Sequence, residues 1–244
     1  MQNKNYREFC MGLVATHNPG LKLRSTVIPE THNSGSYTID SMASSFARCQ
    51  DYSITKQLKS GVRFFDIRCG SNSSKDSDYW IYHGVIGGGS ILNIIKDIVS
   101  FLKKNGTEFI IVELINEHDR PLKKGQMKHL LGRVSNITQG LRVSSSDKDW
   151  REFMAPSATI KRVSGSKRCL LFLLHKGFYK AGFASESYLE QQGYWRKDSY
   201  INNKWHDEQD RDKLFNKNKH FCISKKSDSS KYLVSQMTLT PSFG

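Results

Sequence analysis

GVRFFDIR, residues 61–68, reads as a strand that begins directly after a glycine and carries charge on one face. Side chains alternate along a strand, so Phe64, Asp66 and Arg68 point the same way. A charged pair turned into a protein interior costs free energy unless it is partnered or put to use. Arg68, at the strand's end, offers a planar fork of donors suited to a phosphate. A structural Arg–Asp pair accounts for the same residues equally well.

Outward from this strand, Phe109–Ile115 is an apolar run typical of a strand buried on both faces. Glu113 sits in the middle of it, either facing inward near a site or paired with a structural cation. Ser25–Glu30, Trp80–His83, Cys169–Leu174 and Tyr232–Met237 read as further strands. Ser90 caps a predicted helix through Lys104, with Ile91, Ile94, Ile95, Ile98, Phe101 and Leu102 at helical spacing and Gly106 as its stop. Met127, Leu130, Leu131, Val134 and Ile137 mark another helix. Polar loop signals fall at Ser71–Asp78 and Ser144–Lys148. Strands alternating with helices predict an α/β fold with a parallel sheet and helices outside it. The expected architecture is a TIM-type (β/α) barrel, irregular or open, of a size that suits one domain. In such barrels chemistry gathers at the carboxyl ends of strands, where His32, Arg68, His83 and the pair Asn116–Glu117 fall.

His32 follows a strand end in the small, polar loop ETHNSGS (residues 30–36), and His83 ends another strand before Gly84. An imidazole takes or gives a proton near neutral pH, which suits both halves of a phosphodiester cleavage. Two unrelated polar histidines explain each position as well, since the chain carries eight histidines in all.

The motifs together go further. ETHNSGS, RCQDYSITKQLKSGVRFFDIR (48–68), YHG (82–84) and EFIIVEL (108–114) resemble, in order, spacing and residue type, the X domain of phosphatidylinositol-specific phospholipases C. The resemblance continues more weakly through KRCLLFLLHKG (167–177) and LVSQMTLTP (233–241). It is closest to the compact single-domain branch, which includes bacterial enzymes and protozoan enzymes that cut glycosylphosphatidylinositol anchors. It implies one catalytic domain over residues 1–244, lacking the family's last strand, which carries an acid that supports the base histidine.

The resemblance also implies roles. His32 takes the proton of the inositol 2-hydroxyl, and His83 protonates the departing diglyceride oxygen. The attacking hydroxyl belongs to the substrate, so no Ser or Cys nucleophile is needed. Arg68 stands where calcium-dependent members place a metal ligand, which matches the metal-independent branch, and Asp66 remains as an acid beside it. No metal and no other cofactor is expected. Asn33 stands where bacterial members carry an aspartate that supports the acid histidine; its amide oxygen still accepts a hydrogen bond. Glu117 and Lys176 fall near positions that shape the inositol pocket.

A net charge of +14 calls for acidic partners: phosphate esters, an anionic lipid surface or nucleic acid. No helix-turn-helix, RNP or zinc-finger signature supports nucleic acid, and no obligate protein partner is evident. A phosphatidylinositol-containing membrane surface is the expected partner. Lys161, Arg162, Lys167 and Arg168, with further lysines to Lys231, read either as lipid-attracting or as a solvated basic face. Five scattered cysteines without zinc spacing read as reduced thiols. No signal peptide or membrane span is visible, so the expected location is cytoplasmic with peripheral membrane contact. Two other functions fit part of the pattern: a headgroup-binding protein without activity, and a metal-dependent glycerophosphodiesterase, which Arg68 disfavours.

Overall fold

The computed structural model describes residues 6–40, 44–71, 79–148, 154–204, 206, 208–225 and 231–235. Its first strand, β1, spans Glu30–Thr31, and β2 spans Phe64–Ser71, displaced slightly toward the carboxyl side of the expected segment. Ser25–Glu30 is not a strand: Leu23–Ser25 makes a 3-10 turn and the ladder begins only at Glu30. Pro29 has no N–H to donate; its carbonyl instead accepts from both Arg63 and Phe64.

The strands β3 (Tyr79–His83) and β4 (Ile86–Ser90) correct the expectation of an all-parallel sheet. β3 runs antiparallel to β2, with Cys69 opposite Ile81 and Ser71 opposite Tyr79, and β4 runs antiparallel to β3. A parallel return needs a crossover of a dozen or more residues, and the connection from Ser71 to Tyr79 is shorter. The expected loop at Ser71–Asp78 lies outside the described residues beyond Ser71.

The parallel part is as expected. β5 (Ile110–Asn116), β6 (Leu170–Leu174) and β7 (Tyr194–Arg196) follow β2 in parallel, in the order β4-β3-β2-β5-β6-β7, with β1 on the β3 edge of β2. β8 (Ile201–Lys204) and β9 (Tyr232–Ser235) form a separate parallel pair. Residues 236–237 of the last predicted strand lie outside the described residues. Among the described residues the strands do not close into a ring.

Five helices are labelled in chain order: α1 (Cys10–His17), α2 (Ser44–Ala47), α3 (Ile54–Lys59), α4 (Ile91–Lys104) and α5 (Lys124–Ile137). Helix α4 matches the predicted span, but Asn105 rather than Gly106 ends it, its backbone and side-chain N–H groups both donating to the Phe101 carbonyl.

Strand alternation splits the core into two layers. Phe65, Ile67, Val112, Leu114, Phe172 and Leu174 face the helices, where they meet Leu58, Ile95, Ile98 and Leu130. Phe64, Ile111, Leu171, Leu173 and Trp195 face the barrel interior with Tyr232 and Val234. Each such fully buried side chain contributes on the order of 1.5–3 kcal/mol. One step farther along each interior face, the residues turn polar: Asp66 on β2, Glu113 on β5, His175 after β6 and Lys197 after β7. The apolar layer is a floor, and the polar layer stands on it.

Candidate active site

His32 directly follows β1, in a loop tied down from several sides. The Ser34 N–H donates to the Asp66 carbonyl at 2.7 Å, and the Gln50 side chain donates to the His32 carbonyl at 2.9 Å. Asn33 takes the left-handed conformation, φ 43°, which asparagine tolerates better than most residues. So held, His32 Nδ1 lies 3.2 Å from Asp66 Oδ2, and Nε2 lies 3.3 Å from Arg68 Nη2. A guanidinium only donates, so Nε2 is the accepting nitrogen and faces Arg68. Asp66 is buried, and burial alone would raise its pKa. The hydrogen bond from His32 and the charge of Arg68 outweigh that and hold it below the ordinary carboxylate value.

Arg68 is loosely held. Its Nε is 3.6 Å from Asp66 Oδ1 and its Nη1 is 3.9 Å from Glu117 Oε2, both too long for hydrogen bonds. Asp66 Oδ1, Arg68 Nε, Glu117 Oε2 and both amide atoms of the buried Asn33 have no hydrogen-bond partner among the described residues. Such groups are costly to leave buried and unmet. A ligand bearing both acceptors and donors would satisfy them.

His83 ends β3 next to Gly84, whose φ of 59° makes the turn into β4 possible without strain. Its Nδ1 donates to the Ala47 carbonyl at 2.9 Å and lies 3.8 Å from Cys49 Sγ. This fixes the ring with Nε2 as the free nitrogen. The support expected from Asn33 thus comes from a backbone carbonyl at the end of α2. Cys49, whose side chain is exposed, joins the two histidine neighbourhoods: it lies 3.8 Å from His83, and the protein atoms around it raise its thiol pKa.

Glu113 faces inward, opposite Asp66 in register, and pairs with a cation. Lys197 Nζ is 2.6 Å from Glu113 Oε1, with both side chains buried. Glu30, in β1, is pushed up to about 8 by burial and by the charges of Asp66 and Glu113. Lys176 is exposed in the turn of helix after β6, and no ion pair joins it to this cluster among the described residues. Its neighbour His175 is the inward residue, in phase with Leu171 and Leu173. Burial, Lys197 and Lys176 keep His175 below its usual pKa, and its Nδ1 has no partner among the described residues.

Cys49, His175, Lys197 and Glu30 were therefore absent from the candidates read from the sequence. Strand parity through CLLFLLHK would have selected His175 over Lys176. Lys197 gives no local signal, because its partner lies on a distant strand.

The site opens beside a cleft of about 680 Å³ that runs from His32 and Cys49 along residues 24–31 to Tyr232, between β1 and β9. Among the described residues, no group of three or more His, Cys, Asp or Glu is placed to hold a metal ion, and no helix is long and apolar enough to cross a membrane.

Comparison with known proteins gives a consistent result. The family model described as phosphatidylinositol-specific phospholipase C, X domain, matches residues 26–157, more than half of the chain. A 1-phosphatidylinositol phosphodiesterase of Listeria monocytogenes is 36% identical over 101 residues, covering 40% of this chain and 30% of the relative. One from Staphylococcus aureus is 34% identical over 106 residues, covering 43% and 33%. The match thus spans about a third of the length of these curated relatives. A solved Staphylococcus aureus phosphatidylinositol-specific phospholipase C superposes with a TM-score of 0.69 at 19% identity, covering 97% of this chain and 79% of that one. The Listeria monocytogenes enzyme superposes with a TM-score of 0.63 at 22% identity, covering 91% and 76%.

Proposed function

This chain belongs to the phosphatidylinositol-specific phospholipase C X-domain family, and from that premise we infer that it cleaves the phosphodiester of phosphatidylinositol or of a glycosylphosphatidylinositol. The observation that carries this reading is His32, held with Nδ1 toward Asp66 and Nε2 toward Arg68. An imidazole so oriented has Nδ1 backed by a carboxylate and Nε2 aimed at the group that binds phosphate.

The inositol 2-hydroxyl oxygen forms a bond to phosphorus while His32 Nε2 takes its proton. Asp66 stabilises the imidazolium that results. The phosphate draws the Arg68 donors from their long contacts, and the guanidinium meets charge as it grows on the non-bridging oxygens. His83, oriented by the Ala47 carbonyl, gives its Nε2 proton to the glyceride oxygen as that bond breaks. The products are a cyclic inositol phosphate and diacylglycerol. Glu113, Lys197, Glu117 and His175 stand where ring hydroxyls would need donors and acceptors. Arg68 and Lys197 supply positive charge beside the inward carboxylates, so the reaction proceeds without a metal.

The test is an assay of the purified protein on vesicles of labelled phosphatidylinositol, with and without EDTA, and on a glycosylphosphatidylinositol-anchored protein. Soluble cyclic phosphate in both EDTA conditions is expected. Headgroup binding without product would make the protein a non-catalytic binder, and activity lost in EDTA and restored by calcium would move Asp66 and Asn33 to metal-ligand roles.

A further inference from the structure

The basic residues read from the sequence around residues 161–168 do not form a flat face. Lys148, Lys161, Arg162, Lys167 and Arg168 line a cavity of about 800 Å³, with Asp147 the one acid among the described lining residues. Arg168 Nη2 pairs with Asp147 Oδ1 at 2.8 Å. Lys148, Lys161 and Lys167 are exposed, and none of the three makes an ion pair among the described residues. Among the described lining residues, Lys148, Lys161 and Lys167 thus add positive charge that Asp147, already paired with Arg168, does not offset, and concave walls concentrate such a field. Its volume lies in the range of small-molecule sites, roughly 300–1,000 Å³.

Its place in the fold separates it from the site above. The lining segment 159–168 leads into the amino end of β6, whereas His175 leaves the carboxyl end. Val143, also in the lining, donates its N–H to the carbonyl of Leu170, the first residue of β6. The cavity therefore sits at the amino ends of the parallel strands and His32 at the opposite end. If the reaction proposed above is right, the His32 end faces the bilayer that retains the diglyceride, and the cavity faces solution. The choice of a soluble occupant rests on that reading; the positive concavity does not.

We propose that this cavity is a second anion site that takes a small, soluble, multiply phosphorylated molecule. Several neighbouring cations favour a ligand with charge on more than one phosphate, since single exposed pairs are weak and screened by salt.

Sodium tripolyphosphate, titrated calorimetrically into the full chain at constant ionic strength, is the probe. One saturable site is expected, retained in Arg68→Gln. It should weaken about tenfold or more in Lys161→Gln/Lys167→Gln, with the charge-preserving Lys161→Arg/Lys167→Arg binding as the parent does. Thermal midpoints of the variants guard against misfolding. Binding lost in Arg68→Gln would place the anion at the catalytic end and overturn the proposal. So would affinity indifferent to the double substitution, or heat that disappears in matched sodium chloride. Absence of tripolyphosphate binding, with the Gln variant releasing the protein from phosphatidylserine vesicles, would make the region a membrane surface instead. A protein without phosphodiesterase activity that still binds tripolyphosphate would defeat the reaction and leave the site standing.

Discussion

Two arginines of the same strand segment, Arg63 and Arg68, live in opposite electrostatic surroundings. Arg63 is fully buried with every donor group engaged: Nε on Glu108 Oε2 at 2.7 Å, Nη1 on the carbonyls of Leu58 and Val62, and Nη2 on those of Arg7 and Glu8. Glu108 in turn accepts the N–H groups of Met11 and Gly12 at the start of α1. Five residues on, Arg68 has a half-open side chain, contacts of 3.6 and 3.9 Å, and unmet polar atoms around it. The first network is complete and joins elements distant in sequence. The second is a set of groups whose hydrogen-bonding capacity is unfilled among the described residues. A buried charge by itself therefore says little; whether its valences are filled separates a structural ion pair from a reactive one.

That distinction can be broken by experiment. The largest expected effect is on turnover at the open end: His32→Ala and His83→Ala should each lose roughly 10²–10⁴-fold in rate with an unchanged thermal midpoint. Near-parental turnover in either variant would remove that histidine from the reaction. At the closed end, Arg63→Ala should destabilise by about 3–5 kcal/mol, because Glu108 is left charged and unpaired in the core. Its activity per folded molecule should not change, and denaturant titration alongside turnover on one preparation checks both.

Arg68→Lys should do the reverse of Arg63→Ala: the midpoint stays close to the parent's while turnover falls by at least ~10-fold, because one ammonium replaces a fork of donors. An unstable but fully active Arg68→Lys protein would make Arg68 a second Arg63. The smallest effect concerns Glu30. In the folded protein it keeps its proton up to about 8, whereas its ordinary value is 4.5. Between those values the folded state binds more protons than the unfolded chain, so stability falls as pH rises through this window. Glu30→Gln should flatten that slope by on the order of 1 kcal/mol, seen as a midpoint gain at pH 8 that is absent at pH 4. Parallel pH profiles for parent and variant would show that Glu30 ionises normally.

Much of this was legible in the residues. β5, β6 and α4 are long, apolar and strongly periodic, and their bounds came within a residue or two. The direction of β3 was not, because side-chain pattern is blind to strand polarity and only the short connection encodes it. Asp66 beside His32 was within reach as an inward acid. Its partnership was not, since β1 pairs with β2 across more than thirty positions of chain. Lys176 came from the family resemblance, while strand parity favours His175. Nothing local to Arg63 announces its partner, a glutamate 45 residues away.

The shared edge of β2 has a consequence for how the molecule breathes. β5 occupies one edge from Phe64 to Cys69; β1 arrives on the other at Phe64–Phe65, and β3 comes from the opposite direction to Ser71, Gly70 and Cys69. The chain segments that carry the two histidines are thus moored to one rail from its two ends, with the Ser34 N–H on the Asp66 carbonyl between them. In hydrogen-exchange terms they belong to one cooperative unit. The opening that unprotects the amides of β3 facing β2 should be the same one that unprotects Ser34, with a common free energy and a common response to denaturant. The two histidine segments are lost together or kept together, because the strands that carry them, β1 and β3, are both moored to β2.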